Sequence, residues 1–216
     1  MTQAIQADAR LPDEREAGTA PWWSSQSVLL ALLLALVVAV SSGSAAALAL
    51  SLPARAPADD SADAGFARDM ADHHSQAVEM ALIALGRTED PAIRTLATDI
   101  LLTQQAQIGM MRGWLDVWGL PTTGWDPRMA WMGHAMDGPM PGMATREEVA
   151  SLRELPPQEV DRRFLELMIR HHEGGVEMAQ AGVELGEQPV VRGLAEAILR
   201  SQQAEVTAME DLLRRE

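Results

Sequence analysis

The sequence contains no cysteine, no tyrosine and no lysine. Without cysteine the chain can form no disulfide, no thiolate metal site and no thiol nucleophile, and it cannot carry a cysteine-linked lipid anchor. The formal net charge of −14 opposes binding to nucleic acid, because the phosphates would be repelled. A cationic metal is a ligand that an acidic chain of this kind does not oppose.

Charged residues are also missing from Gly18 to Ala54, and this part contains the run VLLALLLALVVAVSSGSAAALALSL. A spanning helix needs about 20 apolar residues, whereas the apolar part of a cleaved signal peptide has about 7–15. We therefore predict an uncleaved transmembrane signal anchor at 27–52. A cleaved peptide is the alternative, since Ala47–Ala49 (ALA) and Ala54–Ala56 (ARA) resemble cleavage sites. Both interpretations place the C-terminal part on the extracytoplasmic (periplasmic or cell-surface) side.

The remainder of the chain contains an internal repeat. HHSQAVEM begins at His73 and HHEGGVEM at His171, and about fifty surrounding residues align at this offset without a gap. Such an alignment indicates duplication of one structural unit. The resulting organisation is an N-terminal tail (1–26), the anchor (27–52), a Pro/Ala/Asp-rich tether (53–64), a first helical-hairpin repeat (65–118), a Met/Gly/Pro-rich linker with a short helix (119–157) and a second helical-hairpin repeat (158–216).

Each repeat is predicted to be a pair of helices. Asp90 and Gln188 each precede a proline, a pattern typical of an N-cap followed by the first helical residue, because proline has no N–H to lose there. The sequence TREE at Thr145–Glu148 predicts a capping box for the short linker helix. Two hairpins predict an all-α four-helix bundle. The four expected helices span about 61–85, 91–118, 157–185 and 189–214.

The two histidine pairs lie at the same position of their helices. On a helical wheel, His73 with His74 and His171 with His172 straddle the centre of the core-facing stripe, while Asp69 and its neighbours on the other face point elsewhere. Such histidines can be simple packing residues. Adjacent imidazoles are costly to desolvate without partners, however, and the repetition favours a metal site. The predicted core stripes are Phe66, Met70, His73, His74, Ala77, Met80 and Ala81, and Phe164, Met168, His171, His172, Gly175, Met178 and Ala179.

The residues around the histidines indicate which metal to expect. Di-iron bundles carry Glu-x-x-His, but Met70 and Met168 stand three residues before His73 and His171. Zinc favours cysteine, histidine and carboxylate ligands, and thioether is not among them. Imidazole with thioether and without thiolate is a donor set that copper selects. We predict copper, with Cu(I) favoured and Cu(II) possible.

Auxiliary residues lie on the second helix of each repeat and in the linker. Gln104 and Gln202 fall on apolar faces and are predicted to hydrogen-bond a histidine on the facing helix, with backbone or water as the alternative partner. Met111 and Met209 are possible thioether ligands, although core packing is favoured. The linker is predicted to be a flexible string of soft ligands, or alternatively a packing lid. Its members are Met129, Met132, His134, Met136, Met140 and Met143.

The stretches FARDMADHHSQAVEMA and FLELMIRHHEGGVEMAQ, each followed by LA…I…QQAE or a near match, resemble the bacterial domain-of-unknown-function family 305 (DUF305). The resemblance covers about 66–213. It implies a ferritin-like helical bundle that is usually exported, and an association of some members with copper binding and copper tolerance in the periplasm. By motif, the implied ligands are Met70, His73, His74, Met80, Met168, His171, His172 and Met178.

The function predicted from these features is a membrane-tethered extracytoplasmic protein that sequesters copper or hands it on to a copper-handling partner. The alternatives are a structural or interaction subunit of a membrane complex and, less favoured, a dinuclear-metal oxidase. No acid–base pair or nucleophile motif supports catalysis, so we expect no enzyme. The two histidine pairs are expected to share one site or to lie close together, because both stripes face the same bundle axis.

Overall fold

The computed structural model describes residues 55–133 and 135–215, which contain helices and no strand. The predicted anchor at 27–52 lies outside these residues. Within them, no helix combines the length and apolar character needed to cross a membrane. The helices are α1 (Ala62–Arg87), α2 (Pro91–Trp118), α3 (Arg146–Ser151), α4 (Pro157–Leu185) and α5 (Pro189–Leu213), with a 3-10 turn at Ala130–Met132.

The helix starts follow the predicted N-cap positions. The Asp90 carboxylate accepts hydrogen bonds from the backbone N–H groups of Ala92 and Ile93, and Thr145 with Glu148 forms the predicted capping box. Gln188 occupies the predicted N-cap position before Pro189, but its side chain makes no capping bond. Glutamine is a poor N-cap, and the Asp63 carboxylate on α1 instead accepts from the backbone N–H of Gln188 at 3.0 Å.

The four long helices form two hairpins, α1 with α2 and α4 with α5, which meet mainly through α1 and α4. One apolar cluster contains Met70 of α1 and Met178 of α4, and the other contains Met80 and Met168. This crossed pairing means that α1 and α4 run antiparallel, with equivalent positions meeting near the middle. All fourteen residues of the two predicted core stripes are buried, so the wheel assignment of these faces is confirmed.

The linker between the hairpins folds onto α1. The Asp69 carboxylate accepts hydrogen bonds from the backbone N–H of Met129 at 2.8 Å and from the Trp131 indole N–H at 2.9 Å. The prediction that Asp69 points away from the packed interior is therefore wrong, since the linker covers it and leaves it only 8% exposed. Burial raises the pKa of the Asp69 carboxyl group.

Residues 140–144, which we call the strap, cross both histidine-bearing helices. On α1 the Gln76 side chain pairs with the backbone of Ala144, donating to its carbonyl at 2.9 Å and accepting from its N–H at 2.7 Å. On α4 the equivalent position is Gly174, where a Cβ atom would collide with the backbone of Pro141. The missing side chain at Gly174 thus lets the strap lie directly on the helix backbone.

This close approach predicts opposite effects for two helical glycines. Gly174→Ala should lower the free energy of unfolding by about 1–3 kcal/mol, because overpacking outweighs the better helix propensity of alanine. Gly193→Ala is the matched control, since Gly193 is exposed on α5 with nothing near its missing Cβ, and it should stabilise by about 0.5–1 kcal/mol. Urea denaturation measures both. A similar gain from both substitutions would mean that the strap does not rest on Gly174.

Candidate metal centre

The four histidines of the two pairs form one buried group, which we call the imidazole cluster. His73, His74, His171 and His172 are each 0% exposed. The rings of His73 and His171 face each other across the α1–α4 contact, with centroids 3.8 Å apart and planes tilted by 32°. Within the pairs the centroids lie 6.5 Å (His73–His74) and 6.2 Å (His171–His172) apart. The tertiary fold therefore places the two pairs directly side by side.

Each ring of the imidazole cluster makes one hydrogen bond through Nε2. The Nε2 atom of His73 lies 3.0 Å from the Pro141 carbonyl oxygen in the strap, and that of His171 lies 3.0 Å from the His73 carbonyl oxygen. The second histidine of each pair lies close to a side-chain oxygen, His74 at 2.7 Å from Gln107 Oε1 and His172 at 2.6 Å from Glu205 Oε2. All four partners are acceptors, so Nε2 is the nitrogen that carries the hydrogen.

The other ring nitrogen, Nδ1, is buried and has no hydrogen-bond partner in any of the four rings. In a neutral imidazole with hydrogen on Nε2, Nδ1 bears a lone pair. Buried polar atoms normally have a partner, because leaving one unpaired costs free energy. The cluster therefore holds four unpaired, desolvated nitrogen atoms, each with a lone pair available to a metal ion.

Burial also keeps His73, His74 and His171 from taking up protons. Desolvation lowers the pKa of His73 to about 4 and that of His74 to about 3, with the neighbouring His73 also lowering the value for His74. The pKa of His171 falls well below its usual value for the same reason, with further lowering from the surrounding histidines. Protons therefore compete weakly with a metal for these three nitrogen donors at neutral pH.

Thioethers lie on both sides of the imidazole cluster along the helices. Met70 and Met178 belong to one apolar cluster and Met80 and Met168 to the other, and all four are fully buried. Met111 and Met209 are buried in the same two clusters, consistent with the favoured assignment to core packing. Among the residues that the structure describes, no three His, Asp or Glu side chains are placed to hold one metal ion. A site here would thus depend on imidazole and sulfur donors together.

The predicted partners of the histidines require correction. Gln104 and Gln202 are buried, but neither amide has a hydrogen-bond partner, and the Gln202 amide lies against Gly175. Gln107 and Glu205 contact the histidines instead, each three residues, or almost one helical turn, further along the same helix. Sequence reasoning missed both residues, although their matching positions in the repeat were a usable signal.

The linker methionines pack onto the core. Met129 and Met140 are 0% and 2% exposed, so the prediction of an accessible ligand string is wrong for these two. Met132, Met136 and Met143 are partly buried against the same apolar cluster, as the alternative of a packing lid requires. His134 lies outside the described residues. The burial arises because Asp69, His73 and Gln76 hydrogen-bond the linker backbone to α1.

Solved structures share this fold. A DUF305 protein from Streptomyces coelicolor that is described as secreted is 49% identical, with a TM-score of 0.70 over 73% of this chain and 95% of that chain. A DUF305 fragment from Deinococcus radiodurans is 36% identical, with a TM-score of 0.62 over 72% and 97% of the two chains. CopM in its Cu(I)-bound form is 29% identical, with a TM-score of 0.58 over 71% and 96%. CopM has also been solved with Cu(II) and with silver.

Sequence comparison gives the same relationship. An uncharacterised protein from Acanthamoeba polyphaga mimivirus is 43% identical over 54 residues, which are 25% of this chain and 36% of that protein. The match to a family is far longer, because it includes both helical hairpins and the linker between them. Over residues 63–213 the chain matches the family described as Domain of unknown function (DUF305), and it belongs to that family.

Proposed function

We propose that this protein binds copper in the imidazole cluster and sequesters it or hands it on to another protein, without catalysing a reaction. The observation that carries the proposal is the set of four buried Nδ1 atoms without partners. Each ring is held in the tautomer that leaves Nδ1 free, because its Nε2 atom donates to a fixed acceptor. Copper is thus the cargo of the site.

The donor set supports copper over other metals. The implied ligands combine imidazole nitrogens with the thioethers of Met70, Met80, Met168 and Met178. Soft thioether ligands select Cu(I), whereas zinc sites rarely use them. CopM, a structural neighbour, was solved with Cu(I), Cu(II) and silver, and this also supports a site for soft cations.

The linker supports a supplementary role in the entry of the ion. Met132, Met136 and Met143 are partly buried and lie against the cluster that contains Met70 and Met178. We place these three sulfurs on the path from solvent to the histidines, while the fully buried Met129 and Met140 hold the linker in position. The strap would then have to move for an ion to reach His73, because its Pro141 carbonyl oxygen caps that ring.

The proposed location is the extracytoplasmic side of a membrane, with the helical hairpins tethered by the apolar segment at 27–52. The 25-residue apolar run within that segment supports the tether. The secreted description of the Streptomyces coelicolor neighbour supports export. The absence of cysteine is compatible with an oxidising compartment, since no thiol would be exposed to oxidation.

Selectivity between Cu(I) and Zn(II) tests the proposal. The purified full-length chain should bind Cu(I) at least about 100-fold more tightly than Zn(II), because thioethers bind Cu(I) well and zinc poorly. Competition against a chelator of known affinity for each ion measures the ratio. Replacing Met70 and Met178 with leucine, which preserves apolar bulk, should reduce the preference for Cu(I). Equal or tighter binding of zinc would remove the methionines from the site.

A further inference from the structure

The second histidines of the two pairs, His74 and His172, have side-chain acceptors of different charge. His74 donates to the neutral amide oxygen of Gln107, whereas His172 donates to the carboxylate of Glu205. Both acceptors occupy the same position of the repeat, on α2 and α5 respectively, and both bonds have a sequence separation of 33 residues. Duplication thus preserved this side-chain contact, and the charge of its acceptor differs between the two repeats.

The two acceptors act differently on a metal-binding ring. A carboxylate that accepts the N–H of an imidazole fixes the ring and raises the basicity of its other nitrogen, here Nδ1 of His172. A neutral amide fixes the ring of His74 in the same way but supplies no negative charge. Charge-assisted hydrogen bonds are also about twice as strong as neutral ones. His172 is therefore the stronger nitrogen donor of the cluster.

The surroundings allow this charge to act locally. His172 is fully buried, while the Glu205 side chain is 22% exposed at the boundary of the core. Among the described residues, Glu205 is the one carboxylate that is hydrogen-bonded to a ring of the imidazole cluster. The rings of His73 and His171 instead donate to backbone carbonyl oxygens. The second repeat thus has a negative charge next to its donor that the first repeat lacks.

We infer that Glu205 is a positioning residue that acts through His172 and favours Cu(II) over Cu(I) in the bound ion. This inference rests on the proposed copper function. A stronger, more basic nitrogen donor and a nearby negative charge stabilise the dication more than the monocation. The thioethers act in the opposite direction and favour Cu(I). Glu205 would thus set the balance between the two oxidation states, which decides whether one site can hold copper in either form.

The test uses the full-length chain and four variants. Glu205→Gln keeps the acceptor oxygen and removes the charge, Gln107→Glu adds a charge at the equivalent position, and the double variant exchanges the two acceptors. Glu177→Gln controls for the loss of a negative charge, because Glu177 is exposed on α4. Affinities for Cu(I) and Cu(II) are measured separately by chelator competition, and the reduction potential of bound copper is measured by redox titration.

We expect Glu205→Gln to weaken Cu(II) binding about 10–100-fold and to change Cu(I) binding less. A tenfold weakening of Cu(II) binding relative to Cu(I) binding raises the reduction potential of the bound copper by about 59 mV. Gln107→Glu should lower the potential, the double variant should return it close to that of the wild type, and Glu177→Gln should leave it unchanged. Thermal melts in chelator report whether each variant folds.

The measurements on the wild type and on the variants test the proposed function and the role of Glu205 separately. If the wild-type chain binds no copper, the proposed function is wrong. If it binds copper but Glu205→Gln and Gln107→Glu both leave the potential unchanged, Glu205 has no influence on the ion and the inference is wrong. An equal shift with Glu177→Gln would likewise overturn it, because net charge alone would then be sufficient. If Glu205→Gln does not fold, the sign of the shift in Gln107→Glu decides.

Discussion

Acidifying the metal-free protein from pH 7 to pH 5 is expected to lower its free energy of unfolding, by about 4 kcal/mol from His73 and His74 alone. Desolvation lowers the pKa of His73 to about 4 and that of His74 to about 3, whereas both rings titrate near 6.5 in the unfolded chain. Between pH 6.5 and pH 4 the unfolded state therefore binds more protons than the folded state. The contribution of these rings to the free energy of unfolding is therefore fully present above about pH 6.5 and is lost as the pH falls toward 4.

Other groups also affect this dependence on pH. His171 acts in the same direction, because its pKa is also lowered. Burial raises the pKa of Asp69 and of Asp161, and these groups oppose the loss as they take up protons in the folded state. Glu148, with its pKa lowered to about 2 by Arg170, adds to the loss only below its usual pKa of about 4.5. The loss between pH 7 and pH 5 therefore arises from His73, His74 and His171, while Asp69 and Asp161 act against it.

The measurement is urea denaturation of the full-length chain in chelator at several pH values. His74→Gln is the matched variant, because its amide can still donate to Gln107 but cannot titrate. It should reduce the loss at pH 5 by about 2 kcal/mol, which is the share of one histidine over 1.5 pH units. A stability that stays level from pH 7 to pH 5 would contradict buried, neutral imidazoles.

Removing either histidine pair is expected to abolish most copper binding. The rings of His73 and His171 belong to different pairs, yet their centroids are only 3.8 Å apart. An ion held between the helices would therefore lose donors in either double variant. One variant combines His73→Ala with His74→Ala, and the other combines His171→Ala with His172→Ala. Copper per chain should fall close to zero in each double variant, as measured by mass spectrometry of the full-length protein.

Two other results would have different meanings. Two independent sites would each lose their own copper, so each double variant would retain about half of the wild-type amount. If the histidines served only packing, both variants would retain full copper binding and lose stability, of the order of 1–3 kcal/mol per site. Thermal melts in chelator separate a folding defect from the loss of ligands. Full copper binding by both variants would remove the histidine pairs from the metal site.

Local patterns in the sequence were sufficient to predict the helices and their buried faces. The 3.6-residue period placed Phe66, Met70 and the histidines on one stripe, and all are buried. Proline at the first helical position marked the starts of α2 and α5 correctly, and the repeat identified the family. These features could be predicted because they depend on neighbours within a few turns of the same helix.

The partners of the histidines depended on tertiary structure. Two residues separated by 33 positions, such as His74 and Gln107, meet only after the hairpin closes, and its exact register decides whether residue 104 or residue 107 reaches the ring. Gln104 is buried in either case, so its apolar surroundings could not distinguish the two. Helix-wheel reasoning places a residue on a face but does not give its height relative to the facing helix.

The assembly of the imidazole cluster depended on contacts between segments that are distant in the chain. The sequence by itself determined two equivalent apolar stripes carrying histidine pairs and methionines. Only the antiparallel packing of α1 on α4 brought His73 and His171 face to face, and only the strap closed over them through Pro141. The physical reason is that helix periodicity is a local property, whereas the contact of two faces depends on side chains of both helices and on a linker whose glycine and proline positions have no periodicity.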